Sequence, residues 1–200
     1  MNIVLVEYPN YSFYDGIVSE DKILEDCVTV IEFMNEVLDI SYSNIIIMGR
    51  SLGSGPATYL ASKYNICLLV LISPFTSVKD VVRDSFGYFG SIMMKDQFNN
   101  LKRIKRVKSQ VLIIHGNNDE TIKPQHSKTL QENCDKKCDL IFFNEMSHDK
   151  VSVKKWIIDP LKLIMEEIGF SFPGSTSISI PRLLFEKPPS GLNSKNIEFS

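Results

Sequence analysis

The sequence predicts an α/β fold with a mainly parallel β-sheet and helices on both of its faces. Strand-sized apolar runs recur along the chain and alternate with longer segments whose apolar residues follow the period of a helix. Most of these runs end at a polar turn, as strands do at the carboxyl edge of a parallel sheet. Alternation of this kind favours parallel strands that are joined by crossover helices.

The composition is typical of a soluble protein. The 200 residues suit one domain with a sizeable core, and 44% of them are hydrophobic and 23% charged. A formal net charge of −2 gives no electrostatic reason to expect nucleic acid as a partner. No apolar stretch approaches the 18 or more residues of a membrane-spanning helix.

The cysteines favour a reduced, cytoplasmic location. Cys27, Cys67, Cys134 and Cys138 lie far apart or inside predicted core elements, and no secretory signal precedes them. Cys134 and Cys138 have the spacing C-x3-C, but no second pair of ligands follows them. The sequence therefore predicts neither a metal site nor a cofactor.

The first predicted elements are a strand and a long helix. Asn2 to Glu7 contains four successive aliphatic residues, which predict a buried strand. After an aromatic, turn-rich loop, a helix is expected from about Glu20 to Leu38, with Ser19 as its N-cap. Its inner face is expected to consist of Ile23, Cys27, Val30, Ile31, Met34 and Leu38.

The next stretch carries the motif around which the rest is organised. Residues 45–48 read as a strand buried on both faces, and the following Gly49-Arg50-Ser51-Leu52-Gly53 matches G-x-S-x-G, the pattern of a nucleophile elbow. Small residues at positions 49 and 53 are expected because the strand and the following helix, 54–63, approach closely there. Ser51 is the candidate nucleophile, and the alternative is an ordinary serine in a strand-to-helix turn.

The segment after the strand at Cys67–Ile72 differs in character from the rest. Residues 78–108 are predicted to form a helical insertion over the sheet edge. Their apolar group is interpreted as core, with the wall of an acyl pocket as the alternative. Their basic run is interpreted as a solvated helix face, with attraction to an anionic membrane surface as the alternative. The apolar group consists of Phe86, Tyr88, Phe89, Ile92, Met93 and Met94. The basic run consists of Lys102, Arg103, Lys105, Arg106 and Lys108.

The remaining elements complete one predicted domain, residues 1–170. Strands are expected at 111–115 and 140–143, and a helix runs from Pro124 to about Cys134. Residues 151–168 are predicted to be helical with a kink or restart at Asp159-Pro160. From residue 171 to 200 the chain is rich in Ser, Pro, Gly and Asn, which predicts a disordered tail.

Three residues at predicted strand ends have the types that nucleophilic catalysis needs. Ser51, Asp119 and His148 follow one another in the order nucleophile, acid, base. A serine hydroxyl is too weak an acid to attack unaided, so His148 would take its proton while Asp119 orients and stabilises the imidazole. The backbone N–H of Leu52 would donate to the oxyanion.

Other residues in these turns have competing interpretations. Glu120 adjoins Asp119, and spacing alone does not exclude it as the acid. His115 lies inside a predicted strand and is expected to be a packed core histidine. His126 lies on a predicted helix and is expected to be solvated.

Four stretches resemble a known family: GRSLGSGPATYLAS, SPFTS, VLIIHGNNDETI and the MSHD turn. They are similar to the α/β-hydrolase-domain proteins of the serine-aminopeptidase-like branch, and most of all to the group that includes protein depalmitoylases. The resemblance covers residues 2–168 and implies an α/β-hydrolase fold with a Ser51–Asp119–His148 triad. It also implies hydrolysis of esters or thioesters, with acyl-protein substrates such as S-palmitoyl cysteine, and work at the cytoplasmic face of membranes through an acylated amino-terminal segment.

Two departures from the family pattern qualify these expectations. Glu7-Tyr8-Pro9-Asn10-Tyr11-Ser12 stands where such proteins often have Asp-Tyr-x-Gly-Tyr-Gly, which alters a loop near the site. The family also has several strands before the one at Asn2. The third of them normally lies in the sheet between the Asn2–Glu7 strand and the elbow strand, and the loop after it supplies the second oxyanion donor. We therefore expect an amino-terminally truncated chain with a half-built oxyanion hole. The alternatives in function are a non-catalytic pseudo-hydrolase or binding domain, and a peptidase of the same fold; the oligomeric state is left open.

Overall fold

The computed structural model describes residues 2–11, 14–92 and 94–169. The tail predicted at 171–200 lies outside these residues, so its disorder and the domain boundary stay predictions. In chain order the helices and strands are α1 Glu20–Glu36, β1 Ile46–Arg50, α2 Ser54–Lys63, β2 Leu68–Ile72, α3 Val78–Ile92, α4 Asn100–Ile104, β3 Gln110–Gly116, α5 Gln125–Glu132, β4 Cys138–Phe143 and α6 Asp159–Glu167. Short 3₁₀ turns lie at Tyr42–Asn44 and Ser51–Gly53, and a π-helix at Val153–Ile158 leads into α6.

Within the described residues the sheet has four strands in the order β1-β2-β3-β4, and every neighbouring pair is parallel. The register places Met48 opposite Val70 and Val70 opposite Leu112. Each crossover contains at least one helix, as parallel pairing requires. The predicted parallel sheet is confirmed.

Helices cover both faces of this sheet, as predicted. Because side chains alternate along a strand, Leu69 and Leu71 of β2 pack into one cluster and Leu68 and Val70 into the other. Residues of α1, α2 and α5 join the first cluster, whereas the π-helix and α6 join the second, which includes Trp156. The two clusters form the core, and α6 restarts at Asp159 with proline in its first turn, as expected.

Helix α1 follows its predicted capping closely. The Ser19 hydroxyl oxygen accepts the Lys22 N–H at 3.1 Å, and the helix ends at Glu36, two residues earlier than expected. Of the predicted inner residues, Ile23, Cys27 and Ile31 are buried.

The strand predicted at Asn2–Glu7 is absent, and this prediction was wrong. These residues form no ladder with any described strand, and the side chains of Ile3 and Leu5 are 73% and 89% exposed. An apolar run becomes a strand only when another strand pairs with its backbone N–H and C=O groups. The predicted burial of the elbow strand on both faces was also wrong, because β1 is an edge strand of the described sheet and Met48 is 46% exposed.

The segment predicted to be a helical insertion does form α3 and α4, but its aromatic group is not core. Phe86, Tyr88 and Phe89 are 76%, 69% and 87% exposed, so that interpretation was wrong. Gly87, with φ of 73° and ψ of −177°, breaks the helical conformation in this stretch. Helical periodicity predicts which residues share a face, but not whether another element covers that face.

The basic run of α4 is only partly a solvated face. The Lys102 side chain is 79% exposed, whereas the Arg103 guanidinium forms an ion pair with Glu20 of α1 at 2.7 Å. Within the described residues, every helix is too short or too polar to cross a membrane. The cytoplasmic location, the peripheral membrane contact and the absence of a nucleic-acid partner stay predictions.

The two glycine positions of the elbow motif differ in whether a side chain would fit there. A Cβ on Gly49 would overlap the carbonyl oxygen of Gly53 and lie 2.7 Å from the Cβ of Ala57. A Cβ on Gly53 would meet only the Tyr8 hydroxyl, at an ordinary 3.5 Å, and Gly53 has helical φ and ψ of −61° and −16°. The close approach of strand and helix therefore requires glycine at position 49 but not at position 53, contrary to the expectation for both.

We expect Gly49→Ala to lower the free energy of unfolding by about 1–3 kcal/mol, because the new methyl group overpacks a contact with backbone atoms. Urea denaturation followed by circular dichroism measures this change. Gly53→Ala is the matched control and is expected to change stability by less than about 1 kcal/mol, in the stabilising direction. Equal destabilisation by both substitutions would contradict this account of the elbow.

Candidate active site

Ser51 sits at a strained turn between β1 and α2. Its φ is 51°, in the left-handed region that a residue with a side chain adopts at a cost. The turn continues as the 3₁₀ segment Ser51–Gly53 and passes directly into α2. This is the backbone conformation that the G-x-S-x-G pattern predicts, with the serine held outside both regular elements.

The structure brings together the three residues that sequence analysis singled out. Asp119 lies in the turn after β3, and His148 lies in the loop after β4. The Ser51 hydroxyl oxygen is 3.1 Å from Nε2 of His148, and Nδ1 of His148 is 2.9 Å from Oδ2 of Asp119. Since the carboxylate can only accept, Nδ1 carries the proton and Nε2 presents its lone pair to the serine hydroxyl.

Asp119 is buried and held by several donors. Its Oδ1 accepts the backbone N–H groups of Thr121 and Ile122 at 3.1 and 2.8 Å. Burial disfavours the charged carboxylate, but hydrogen bonds from His115, the Ile122 amide and His148 outweigh it and hold the pKa of Asp119 well below its usual range. The turn therefore keeps an ionised carboxylate beside the imidazole.

Glu120, the alternative acid, is exposed and lies outside this arrangement. Of these two adjacent acids, Asp119 contacts the imidazole of His148 and Glu120 does not. The turn after β3 points one side chain inward and leaves the next in solvent, which spacing alone does not reveal.

His115 is buried, as expected for a core histidine, but it also touches the proposed acid. Its Nδ1 lies 2.6 Å from the Ser127 hydroxyl, and its Nε2 lies 2.8 Å from the Ile122 carbonyl oxygen and 3.5 Å from Oδ2 of Asp119. Because the carbonyl oxygen only accepts, Nε2 carries the proton and also faces the carboxylate. Sequence reasoning missed this contact, although His115 precedes Asp119 by four residues.

Arg50, the residue before the candidate nucleophile Ser51, is a second group that sequence reasoning missed. Its guanidinium donates a hydrogen bond to the backbone carbonyl of His148, which ties the end of β1 to the histidine loop. That loop is also closed locally, because the Lys150 N–H donates to the Ser147 hydroxyl at 3.2 Å. The pairing of residues 98 positions apart has no local sequence signal.

The proposed oxyanion donor, Leu52, is the second residue of the 3₁₀ turn. Backbone N–H groups in a first helical turn have no acceptor inside the helix, and the dipole of the following α2 favours negative charge there. Tyr8, from the loop that departs from the family pattern, has its hydroxyl near Gly53. Burial raises the pKa of Tyr8 to about 12, so its hydroxyl stays protonated at neutral pH.

An apolar cavity of about 210 Å³ lies beside the elbow. One wall is Leu52, and the others include Ile23 of α1, Val78 at the start of α3, and Phe98. The exposed aromatic residues of α3 do not line this cavity, and the alternative that they form the wall of an acyl pocket stays a prediction. Within the described residues, no group of three or more His, Cys, Asp or Glu is arranged to hold a metal ion, and all four cysteines are free thiols.

The prediction that His126 is solvated was wrong. Its side chain is 6% exposed, and its Nδ1 accepts the backbone N–H of Thr76 at 3.2 Å. Helix α5 places the His126 side chain against the loop after β2, and the helical pattern alone did not indicate this contact.

Sequence relatives and solved structures agree with this fold. The chain is 28% identical over 161 residues to mouse α/β hydrolase domain-containing protein 17C and 28% identical over 166 residues to human α/β hydrolase domain-containing protein 17B. These alignments cover 80% and 83% of this chain and 49% and 57% of the relatives, so the chain spans about half the length of the curated relatives it matches.

Among solved structures, Est1E from Butyrivibrio proteoclasticus aligns with a TM-score of 0.63 at 17% identity, covering 77% of this chain and 72% of that one. Acetyl xylan esterase 1 from Thermoanaerobacterium sp. JW/SL YS485 aligns with a TM-score of 0.58 at 18% identity, covering 75% and 53%. At these identities the likeness shows the fold alone. The family model of the FSH1 serine hydrolases matches residues 10–148, more than two thirds of the chain, and the chain belongs to this serine hydrolase family.

Proposed function

We propose that this chain hydrolyses ester or thioester bonds through Ser51, His148 and Asp119. The observation that carries the proposal is the unbroken series of contacts from the serine hydroxyl through both imidazole nitrogens to a buried carboxylate. Its geometry meets the requirement that nucleophile, base and orienting acid lie within hydrogen-bonding reach of one another. Family membership supports hydrolase chemistry in general.

The reaction proceeds in two halves. His148 accepts the Ser51 proton as the hydroxyl oxygen attacks the acyl carbon, and Asp119 stabilises the resulting imidazolium. The Leu52 N–H donates to the oxyanion of the tetrahedral intermediate. His148 then gives the proton to the leaving alkoxide or thiolate. In the second half it activates water, which releases the acid and restores Ser51.

The apolar cavity supports an acyl substrate. Its lining beside Leu52 suits a hydrocarbon chain, and its 210 Å³ is below the roughly 300–1,000 Å³ of pockets that enclose drug-sized ligands. It therefore holds a short acyl group, or only the first part of a long one. The resemblance to depalmitoylases supports an S-acylated protein as the substrate, and this specificity is part of the proposal.

We expect Ser51→Ala to abolish covalent labelling by a fluorophosphonate probe, because the probe reacts only with an activated serine hydroxyl. Gel fluorescence after labelling of the purified chain measures this. Ser62→Ala is the matched control, since this serine lies on α2 with its hydroxyl bonded to the Tyr59 carbonyl. Equal labelling of wild type and Ser51→Ala would remove the nucleophile assignment, and no labelling of the wild type would favour a non-catalytic binding domain.

Asp119→Asn is expected to lower kcat/KM for a p-nitrophenyl ester by up to about 10⁴, because an amide at this position favours the wrong tautomer of the base. Steady-state kinetics measure the change. Glu120→Gln is the matched control and is expected to leave kcat/KM unchanged, since Glu120 is exposed. A larger loss in Glu120→Gln than in Asp119→Asn would reverse the assignment of the acid.

We expect the chain to hydrolyse acyl thioesters and not to hydrolyse aminoacyl amides. An aminoacyl group brings an ammonium that needs a carboxylate partner. The only carboxylate among the residues lining the apolar cavity, Glu20, is already paired with Arg103 at 2.7 Å. Parallel assays with a short acyl thioester and an aminoacyl amide of similar size test this. Faster turnover of the amide would favour the peptidase alternative.

A further inference from the structure

A second cavity, of about 340 Å³, lies between α3, α4 and α5. None of the proposed catalytic residues lines it. Its polar lining comes from the loop after β2, from α3 and from α5, and consists of Thr76, Asp80, Arg83, Asp84, Gln125, His126 and Thr129. A space of this volume with several convergent polar groups is large enough for a small organic group.

His126 has a fixed tautomer at one wall of this cavity. Its Nδ1 accepts the Thr76 backbone N–H at 3.2 Å, and an amide N–H can only donate. The Thr76 hydroxyl lies 2.9 Å from the same nitrogen and shares its single proton between Nδ1 and the Asp80 carboxylate. The ring proton of the neutral imidazole is therefore on Nε2. Burial lowers the pKa of His126 against the opposing attraction of Asp84 and Asp80, so the neutral form is the one present at neutral pH.

The Nε2–H donor of His126 has no hydrogen-bond partner among the described residues, although the side chain is 6% exposed. Oδ2 of Asp84 lies 3.4 Å from this nitrogen, but the contact does not have the geometry of a hydrogen bond. A buried donor without an acceptor is unfavourable, and proteins satisfy nearly all such groups. The donor therefore points to an acceptor that occupies the cavity.

Asp84 is the carboxylate that remains available in this cavity. Asp80 is already engaged, because its Oδ2 accepts the hydroxyls of Thr76 and Ser77 at 2.7 and 2.9 Å and its Oδ1 pairs with Arg83 at 2.8 Å. The same pair compensates the charge of Arg83. The His126 Nε2–H donor and the Asp84 carboxylate acceptor therefore lie next to each other in the cavity wall, 3.4 Å apart.

We propose that this cavity binds a primary carboxamide, whose C=O accepts the His126 Nε2–H and whose syn N–H donates to Asp84. A primary amide carries a donor and an acceptor on one edge, which complements an adjacent acceptor and donor. Gln125 and Thr129 supply further polar contacts around the bound group. The site is independent of the proposed hydrolysis, because it shares no residue with the Ser51 arrangement.

Other ligand chemistries fit these groups less well. An anion would face the unpaired charge of Asp84, while the charge of Arg83 is already compensated by Asp80. A metal ion would need a lone pair on Nε2, which carries the proton. A trans peptide group presents its N–H and C=O in opposite directions and does not pair with both His126 and Asp84.

Imidazole NMR spectra of the ¹⁵N-labelled full chain test the proposal. The probe is N-acetyl-glutamine N-methylamide, and the matched probe is the glutamate analogue, in which a carboxylate replaces the carboxamide. His126→Gln identifies the His126 ring signals. We expect the Nε2–H tautomer in the free protein, a saturable shift of these signals with the glutamine probe, and at least tenfold weaker binding of the glutamate probe.

A second variant, Asp84→Ala, tests the site if His126→Gln fails to fold. Asp84 is partly exposed, so its loss leaves the core intact. This variant is expected to bind the glutamine probe at least tenfold more weakly. Asp21→Ala, an exposed aspartate of α1 that does not line the cavity, is the control and should bind normally. The proposal is overturned by equal or tighter binding of the glutamate probe, by unchanged affinity in Asp84→Ala, or by no saturable shift, which would leave water as the only occupant.

Discussion

Parallel pairing of the four strands is the constraint on which the rest of the structure depends. Its register aligns the carboxyl ends of neighbouring strands, with Arg50 opposite Ile72, Ile72 opposite Ile114, and Gly116 opposite Phe143. The turns that follow the strands therefore meet at one edge of the sheet, although they are separated by tens of residues in sequence. Helices on both faces make this arrangement stable, because parallel strands bury apolar side chains on both sides.

The buried carboxylate of Asp119 shows how the fold provides the electrostatics of the site. Removing a charge from water is costly, and the chain offsets that cost with two backbone N–H groups of the same turn and the N–H groups of two histidines. Because these donors come from β3, its following turn and the loop after β4, the ionised state of Asp119 is a property of the tertiary structure. The carboxylate in turn fixes the tautomer of His148, because it accepts the Nδ1–H.

Prediction failed where the outcome depended on which neighbour was present. The apolar run at Asn2–Glu7 has the composition of a strand, but it has no pairing partner among the described residues and is exposed. The exposed aromatic residues of α3 are the helical counterpart. Their spacing indicates an apolar face, but it does not indicate whether another element covers that face. His126 is the converse case, because a helical residue expected in water packs against the loop after β2.

The sequence by itself determined the alternation of strands and helices, the elbow at Ser51, and the order of Ser51, Asp119 and His148, because local periodicity and turn chemistry encode these features. Spacing left Asp119 and Glu120 both open as the acid, and the family resemblance indicated Asp119. Only the tertiary structure decided that Asp119 contacts the imidazole of His148, that Arg50 and His115 contact the site, and that Gly49 alone of the two motif glycines must lack a side chain. The physical reason is that burial, hydrogen-bond partners and close approach arise between segments that are distant in sequence, so no local pattern specifies them.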